Sequence, residues 1–157
     1  NLLMAHNGNV HNFSTIKRAL KDSLNDEMYH WIKGQTDSEH LFAFLINHMI
    51  SRSSTYTIEN LIESYEFTFA HVKSLMQKYG IEEPAFLNLV ITNGEFIIAS
   101  RYVTDSRYEP RTLYHSEGAR YVVEDGVSHL TAPSDNDQAV LIVSEKLSDD
   151  DYWSMIP

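Results

Sequence analysis

The sequence predicts an α+β domain, with helices layered on a mostly antiparallel sheet. Two observations carry this. Between His11 and Tyr79 apolar residues recur every three to four positions, and after Pro84 they fall into extended runs separated by Asn-Gly and Asp-Gly pairs. The 157 residues contain no repeat, low-complexity tract or linker, and their number suits one domain with a sizeable core.

Residues 2–5 read as a short buried strand that stops at a His6-Asn7-Gly8 turn, because Asn-Gly pairs tolerate positive φ. From His11, Phe13, Ile16, Leu20 and Leu24 mark one face of a helix, with Lys17, Arg18, Lys21 and Asp22 on the other. A second helix runs from Asp26 to Ile32 and is stopped by Gly34. Thr36, Asp37 or Ser38 caps a third that carries Leu41, Phe42, Leu45, Ile46 and Met49. The fourth, Thr57 to Tyr79, shows a single stripe of Ile58, Leu61, Ile62, Tyr65, Phe69, Val72, Leu75, Met76 and Tyr79, and Gly80 ends it. Leu87–Thr92, the Asn93-Gly94 turn and Glu95–Val103 then form a hairpin. Thr112–His115, Ala119–Val123 and Ala139–Ser144 supply three more strands, with turns at Gly118 and Asp125-Gly126. Asp149, Asp150 and Asp151 read as a surface turn anchored by Trp153.

Composition narrows the chemistry. A formal net charge of −10 argues against nucleic acid, whose affinity comes mostly from Lys and Arg on phosphates. No apolar run approaches the roughly 20 residues that span a bilayer, and the expected compartment is the cytoplasm. With no cysteine, the chain has no disulfide, thiolate zinc site or thiol nucleophile of its own. Asn12-Phe13-Ser14 fits a glycosylation sequon, which we read as chance. Asn1-Leu2-Leu3-Met4-Ala5 begins without methionine and runs straight into an apolar segment, so the chain is expected to start inside a domain.

Two segments could carry chemistry. A strand-end Asn7 carboxamide and the N–H of Gly8 can supply the two donors that a developing oxyanion needs; a plain tight turn is the alternative. Asp37 places a carboxylate at a helix start, where it could hold a substrate ammonium group, although capping alone would explain it. Of the eight histidines only His40 and His48 share a helix at regular spacing, and eight residues is too far for joint ligation, so no metal site is expected. Ser38, Glu39 and His40 are neighbours in a helix and diverge, which argues against a serine triad. Arg101 and Ser144-Glu145 lie at strand ends, with a surface ion pair and turn polarity as their simpler readings.

Taken together, Met4–Phe13 (MAHNGNVHNF) and Gly34–Ala43 (GQTDSEHLFA), followed by Asn88–Gly94 (NLVITNG), Ala99–Tyr102 (ASRY) and Val143–Leu147 (VSEKL), resemble the class II glutamine amidotransferases. These form a branch of the N-terminal nucleophile hydrolases. Within that class the chain resembles the fungal subfamily that cleaves γ-glutamyl bonds in glutathione degradation, whose bacterial relatives include γ-glutamyl hydrolases of thiol biosynthesis. The resemblance implies a four-layer αββα sandwich in which a chain-terminal cysteine attacks the γ-amide, its own α-amine serving as base. It implies no cofactor.

By motif match, Asn7 and Gly8 correspond to the oxyanion hole and Asp37 to the group holding the substrate α-amine, with His6 and Thr36 as adjoining substrate contacts. The cysteine, and an arginine segment for the α-carboxylate, would lie before residue 1. Residues 1–157 are therefore expected to be the C-terminal portion of one such domain, inactive and poorly soluble alone. Lys146 stands where the family often has proline. A peptidase-like partner subunit is a further implication. A non-catalytic scaffold with this fold, or a generic α+β ligand-binding domain, are the alternatives.

Overall fold

The computed structural model describes residues 2–53, 56–117, 121–131 and 139–157. Asn1, the expected turn at Gly118 and the expected strand start at Ala119 lie outside them. The elements run β1 (Leu3–Asn9), α1 (Phe13–Asp22), α2 (Asp26–Trp31), α3 (Asp37–Arg52), α4 (Ile58–Lys78), β2 (Phe86–Thr92) and β3 (Ile97–Ser100), then β4 (Tyr114–Glu117), β5 (Tyr121–Glu124), β6 (Val127–Leu130), β7 (Val140–Val143) and β8 (Ser154–Met155). The α+β class holds, and every strand pair is antiparallel. Among the described residues the strands divide among three sheets, in orders β1-β2-β3, β7-β4-β8 and β5-β6, rather than forming one.

Helix starts follow capping chemistry. Asn25, Thr36 and Thr57 each accept a backbone N–H of the first turn through a side-chain oxygen, from Met28, Glu39 and Asn60. Helix α4 ends at Tyr79, with Gly80 in the left-handed region at φ 65°. Helix α2 ends without such a glycine, because Ile32 turns extended. Gly34 serves a different need: a Cβ there would sit 2.5 Å from Glu39 Oε2, whose carboxylate accepts the N–H groups of Lys33 and Gly34.

The apolar stripe of α4 is narrower than its sequence suggests. Leu61, Tyr65, Phe69, Val72, Leu75 and Met76 are buried, whereas Ile58, Ile62 and Tyr79 are exposed. At 100° per residue Ile62 lies at the edge of the buried face, while Ile58 and Tyr79 sit at the two ends of the helix. The buried set joins Ile16 and Leu20 of α1, Leu41, Phe44, Leu45 and Met49 of α3, and Leu87, Leu89 and Ile91 of β2 in one core.

Side chains alternate across the β1-β2-β3 sheet. Leu87, Leu89 and Ile91 face the helices, while Asn88, Val90 and Thr92 face the other way together with Ala5, Asn7 and Asn9, their β1 neighbours or near neighbours. A cleft of about 640 Å³ separates Thr92, Ile97 and Ala99 on that second face from His115, Val140 and Ile142 of the β7-β4-β8 sheet. The β2–β3 connection is a four-residue loop, since Thr92 pairs with Ile97. Asn93 Oδ1 accepts the N–H of Glu95 there, and Gly94 takes φ 94°. Asp125 and Gly126, at φ 52° and 81°, make the two-residue β5–β6 turn. Strands β6 and β8 were not evident in the sequence; both are short, and β8 has two residues. Trp153 is buried against Leu130, as its anchoring role requires.

Candidate functional site

The His6-Asn7-Gly8 segment is not a turn. It continues β1, paired with Leu89, Asn88 and Leu87 of β2, and Gly8 does not have positive φ. The reversal falls later, where Asn12 adopts φ 49° before α1. Gly8 is needed for close approach: a Cβ would lie 1.9 Å from the Phe86 carbonyl oxygen. Tertiary pairing has overridden the local turn preference of Asn-Gly.

Strand alternation separates the three residues. His6 and Gly8 share the helix-facing side, and Asn7 stands exposed on the opposite face beside Asn88. His6 bridges two elements. Its Nε2 lies 3.2 Å from the Phe86 carbonyl and its Nδ1 2.9 Å from Ser38 Oγ. A carbonyl only accepts, so Nε2 carries a proton toward Phe86.

Asp37 occupies the first turn of α3. Its Oδ2 accepts the Val10 N–H at 2.8 Å and its Oδ1 the Ser38 N–H at 2.8 Å. The first bond fastens the α3 N-terminus to the chain leaving β1. Asn7 is three residues from Val10, at most about 11 Å along an extended chain, so Asn7, Gly8 and Asp37 gather at one end of β1. Thr36 is the α3 N-cap, and its carbonyl accepts from His40 Nδ1, 2.7 Å away. Burial holds the His40 ring below the ordinary histidine range, partly offset by that carbonyl. The neutral ring therefore braces the start of α3.

Two further residues adjoin this surface and were not assigned a role from the sequence. Asn88 is buried, and its Nδ2 donates to the Arg111 and Thr112 carbonyls, 3.0 Å each. A single polar residue inside the apolar run Leu87–Ile91 was the available signal. The Arg111 guanidinium donates to Asn9 Oδ1 at 2.9 Å and lies 4.9 Å above the Phe86 ring. Arg101 donates to the Arg111 and Pro110 carbonyls, a structural use. Ser144 offers its carbonyl to Thr112 Oγ1. A second cleft, of about 590 Å³, opens between α4 and the Asp105–Arg107 loop; Asn7 and Asp37 line neither cleft. Among the described residues no group of three His, Asp or Glu side chains could hold a metal ion, and no helix is long and apolar enough to cross a membrane.

Comparison with known proteins gives consistent results. The family model described as glutamine amidotransferases class-II matches residues 1–157. A Saccharomyces cerevisiae protein named probable glutamine amidotransferase DUG3 is 25% identical over 169 residues, covering 99% of this chain and 47% of its own length. The chain thus spans about half of that relative. A solved glutamine aminotransferase class-II domain protein from Silicibacter pomeroyi superposes with a TM-score of 0.70 over 99% of this chain and 60% of its own, at 24% identity, a likeness of fold.

Proposed function

Since the chain belongs to the class-II glutamine amidotransferase family, we propose that it supplies the oxyanion-stabilising and amine-binding side of a site that hydrolyses γ-glutamyl amide bonds. Glutamine, glutathione or a γ-glutamyl peptide would be the substrate. The Asn7 carboxamide and Gly8 N–H would receive the carbonyl oxygen as it takes on negative charge, where a fixed donor is worth about 3–4 kcal/mol. Asp37 would hold the substrate α-ammonium, its charge favoured by the α3 N-terminus. His6 and Thr36 are proposed to adjoin the substrate, His6 through Ser38 and Thr36 through the α3 cap.

The observation that carries this reading is the Asp37 Oδ2–Val10 N–H bond, which brings the carboxylate to the same strand end as Asn7 and Gly8. The 157 residues contain no cysteine, so the attacking thiol would come from outside them. The reading extends to the αββα sandwich, a cytoplasmic location and a peptidase-like partner subunit. The missing thiol also favours a second reading, a non-catalytic scaffold with this fold.

Glutamate release from glutamine and from glutathione by the complete natural protein decides between the two. Asp37→Asn keeps an oxygen for Val10 but removes the charge, and should raise KM roughly 10- to 100-fold with kcat changed far less. Release of no glutamate from either compound, with or without a partner, would leave the scaffold.

A further inference from the structure

Asn88 carries an acceptor that no described residue uses. The side chain is 1% exposed, and its Oδ1 is buried without a hydrogen-bond partner. Leaving such an oxygen unpaired forfeits its hydration without return, so the position is held against a steady penalty. The orientation of the carboxamide is also fixed. Nδ2 donates to two carbonyls, Arg111 and Thr112, and a flipped amide would turn its own oxygen onto both.

The register places this acceptor. Asn88 stands directly opposite Asn7 in the β1–β2 pair, so both side chains leave the same face of the sheet. Directly opposed residues have Cβ atoms about 4.5–5.5 Å apart, within reach for two carboxamides. Asn7 is exposed and has two N–H donors on one nitrogen. A rotation about its side-chain bonds lets it give one of them to Asn88.

We propose that Asn88 is a positioning residue for Asn7: its Oδ1 accepts one Nδ2 proton of Asn7, and the other proton is thereby aimed at the oxyanion. An isolated asparagine can present either its oxygen or its nitrogen to a substrate, and the oxygen would repel the developing charge. The Asn88 acceptor selects the nitrogen. This rests on the proposed hydrolysis and deepens it, adding to the site a buried residue that makes no contact with substrate.

The test uses the complete natural protein with Asn7→Ala, Asn88→Ala and the double variant, assayed for kcat and KM. Asn7→Ala should lower kcat roughly 100- to 1,000-fold. Asn88→Ala should lower kcat about 10-fold with KM nearly unchanged, and should have no further effect when Asn7 is already alanine. An equal loss in both backgrounds, or a loss in KM alone, overturns the proposal. Asn88→Ala also strips donors from two carbonyls, so a second measurement needs no substitution: proton exchange at the Asn7 carboxamide of the natural protein. One Nδ2 proton should exchange about 10-fold more slowly than the other, as one hydrogen bond implies. Equal, fast exchange of both overturns the proposal. Should the natural protein cleave no γ-glutamyl amide, the functional reading fails, and the exchange measurement alone decides the role of Asn88.

Discussion

The part of the molecule up to Thr104 and the strands from Tyr114 onward are closed by very different cores. In the first, three long helices and β2 bury one continuous cluster that includes Leu45, Leu61, Leu87 and Leu89 at 0% exposure. In the second, Leu130 and Trp153 are the buried pair of a small cluster, and Val123, Val127 and Val140 stay exposed. The strands there have four residues or fewer. Asn7, Gly8 and Asp37 all sit on the heavily packed part. A site that must hold two donors and a carboxylate within fractions of an ångström gains from that, because close-packed surroundings restrict side-chain and backbone drift.

The sharpest way to break this comparison is to cut into each core. Leu45→Ala should destabilise the whole protein by about 4 kcal/mol, since its tightly packed neighbours cannot collapse into the space. Gly8→Ala should cost about 3 kcal/mol or more, because the new Cβ meets the Phe86 carbonyl and forces β1 from β2. Trp153→Ala should cost about 2 kcal/mol, less than a buried tryptophan usually does, because its thinner surroundings relax. Urea melts read by far-ultraviolet circular dichroism give all three values. A Trp153→Ala loss as large as that of Leu45→Ala would mean that the two cores are one cooperative unit.

The same contrast explains what the sequence made legible. Helices α1, α3 and α4 were readable because their apolar period is a local signal, joined at α3 and α4 by Thr caps. The β5–β6 turn was readable because Asp125-Gly126 supplies both positive φ values itself. The strand through His6-Asn7-Gly8 was not. Its extended state comes from β2, some eighty residues away, and nothing local announces that pairing. The division into three sheets and the two-residue β8 escaped for the same reason. Within the site, the nearness of Asp37 to Asn7 was inferable only from the resemblance. The Val10–Asp37 bond that produces it, and the buried Asn88 facing Asn7, are tertiary facts.

Acid should separate the two regions. Burial lowers the His40, His48 and His71 pKa values below 6.5, and all three lie in the first region. The unfolded chain then binds protons that the folded chain refuses, so this stability is complete above about pH 6.5 and declines as pH falls below it. In the second region, the hydrogen bond with Ser148 and the N–H of Leu130 lower the Asp150 pKa from 3.8. The unfolded state takes up that proton first, so the contribution persists down to about pH 4 and is lost below. A melting temperature that drops by several degrees between pH 7.5 and 5.5, with the fluorescence of Trp153 in a Trp31→Phe variant holding until more acid conditions, is the expected pattern. A melting temperature flat across that range would mean that the three rings titrate freely in the fold.

The smallest effect compares two helix caps. Thr36 and Thr57 hold α3 and α4 through equivalent bonds, from Glu39 N–H at 3.3 Å and from Asn60 N–H at 3.2 Å. Removing a threonine cap costs typically about 1 kcal/mol. Around Thr36, however, the helix start has other ties: Asp37 to Val10, Glu39 to Lys33 and Gly34, and His40 to the Thr36 carbonyl. None of these needs the threonine side chain. Thr36→Ala should therefore lose about 0.5 kcal/mol and Thr57→Ala about 1 kcal/mol, the low end and the typical value for such caps. Denaturant melts of the two variants check the order. A larger loss at Thr36 would show that its hydroxyl, rather than the surrounding ties, fixes the helix start on which Asp37 stands.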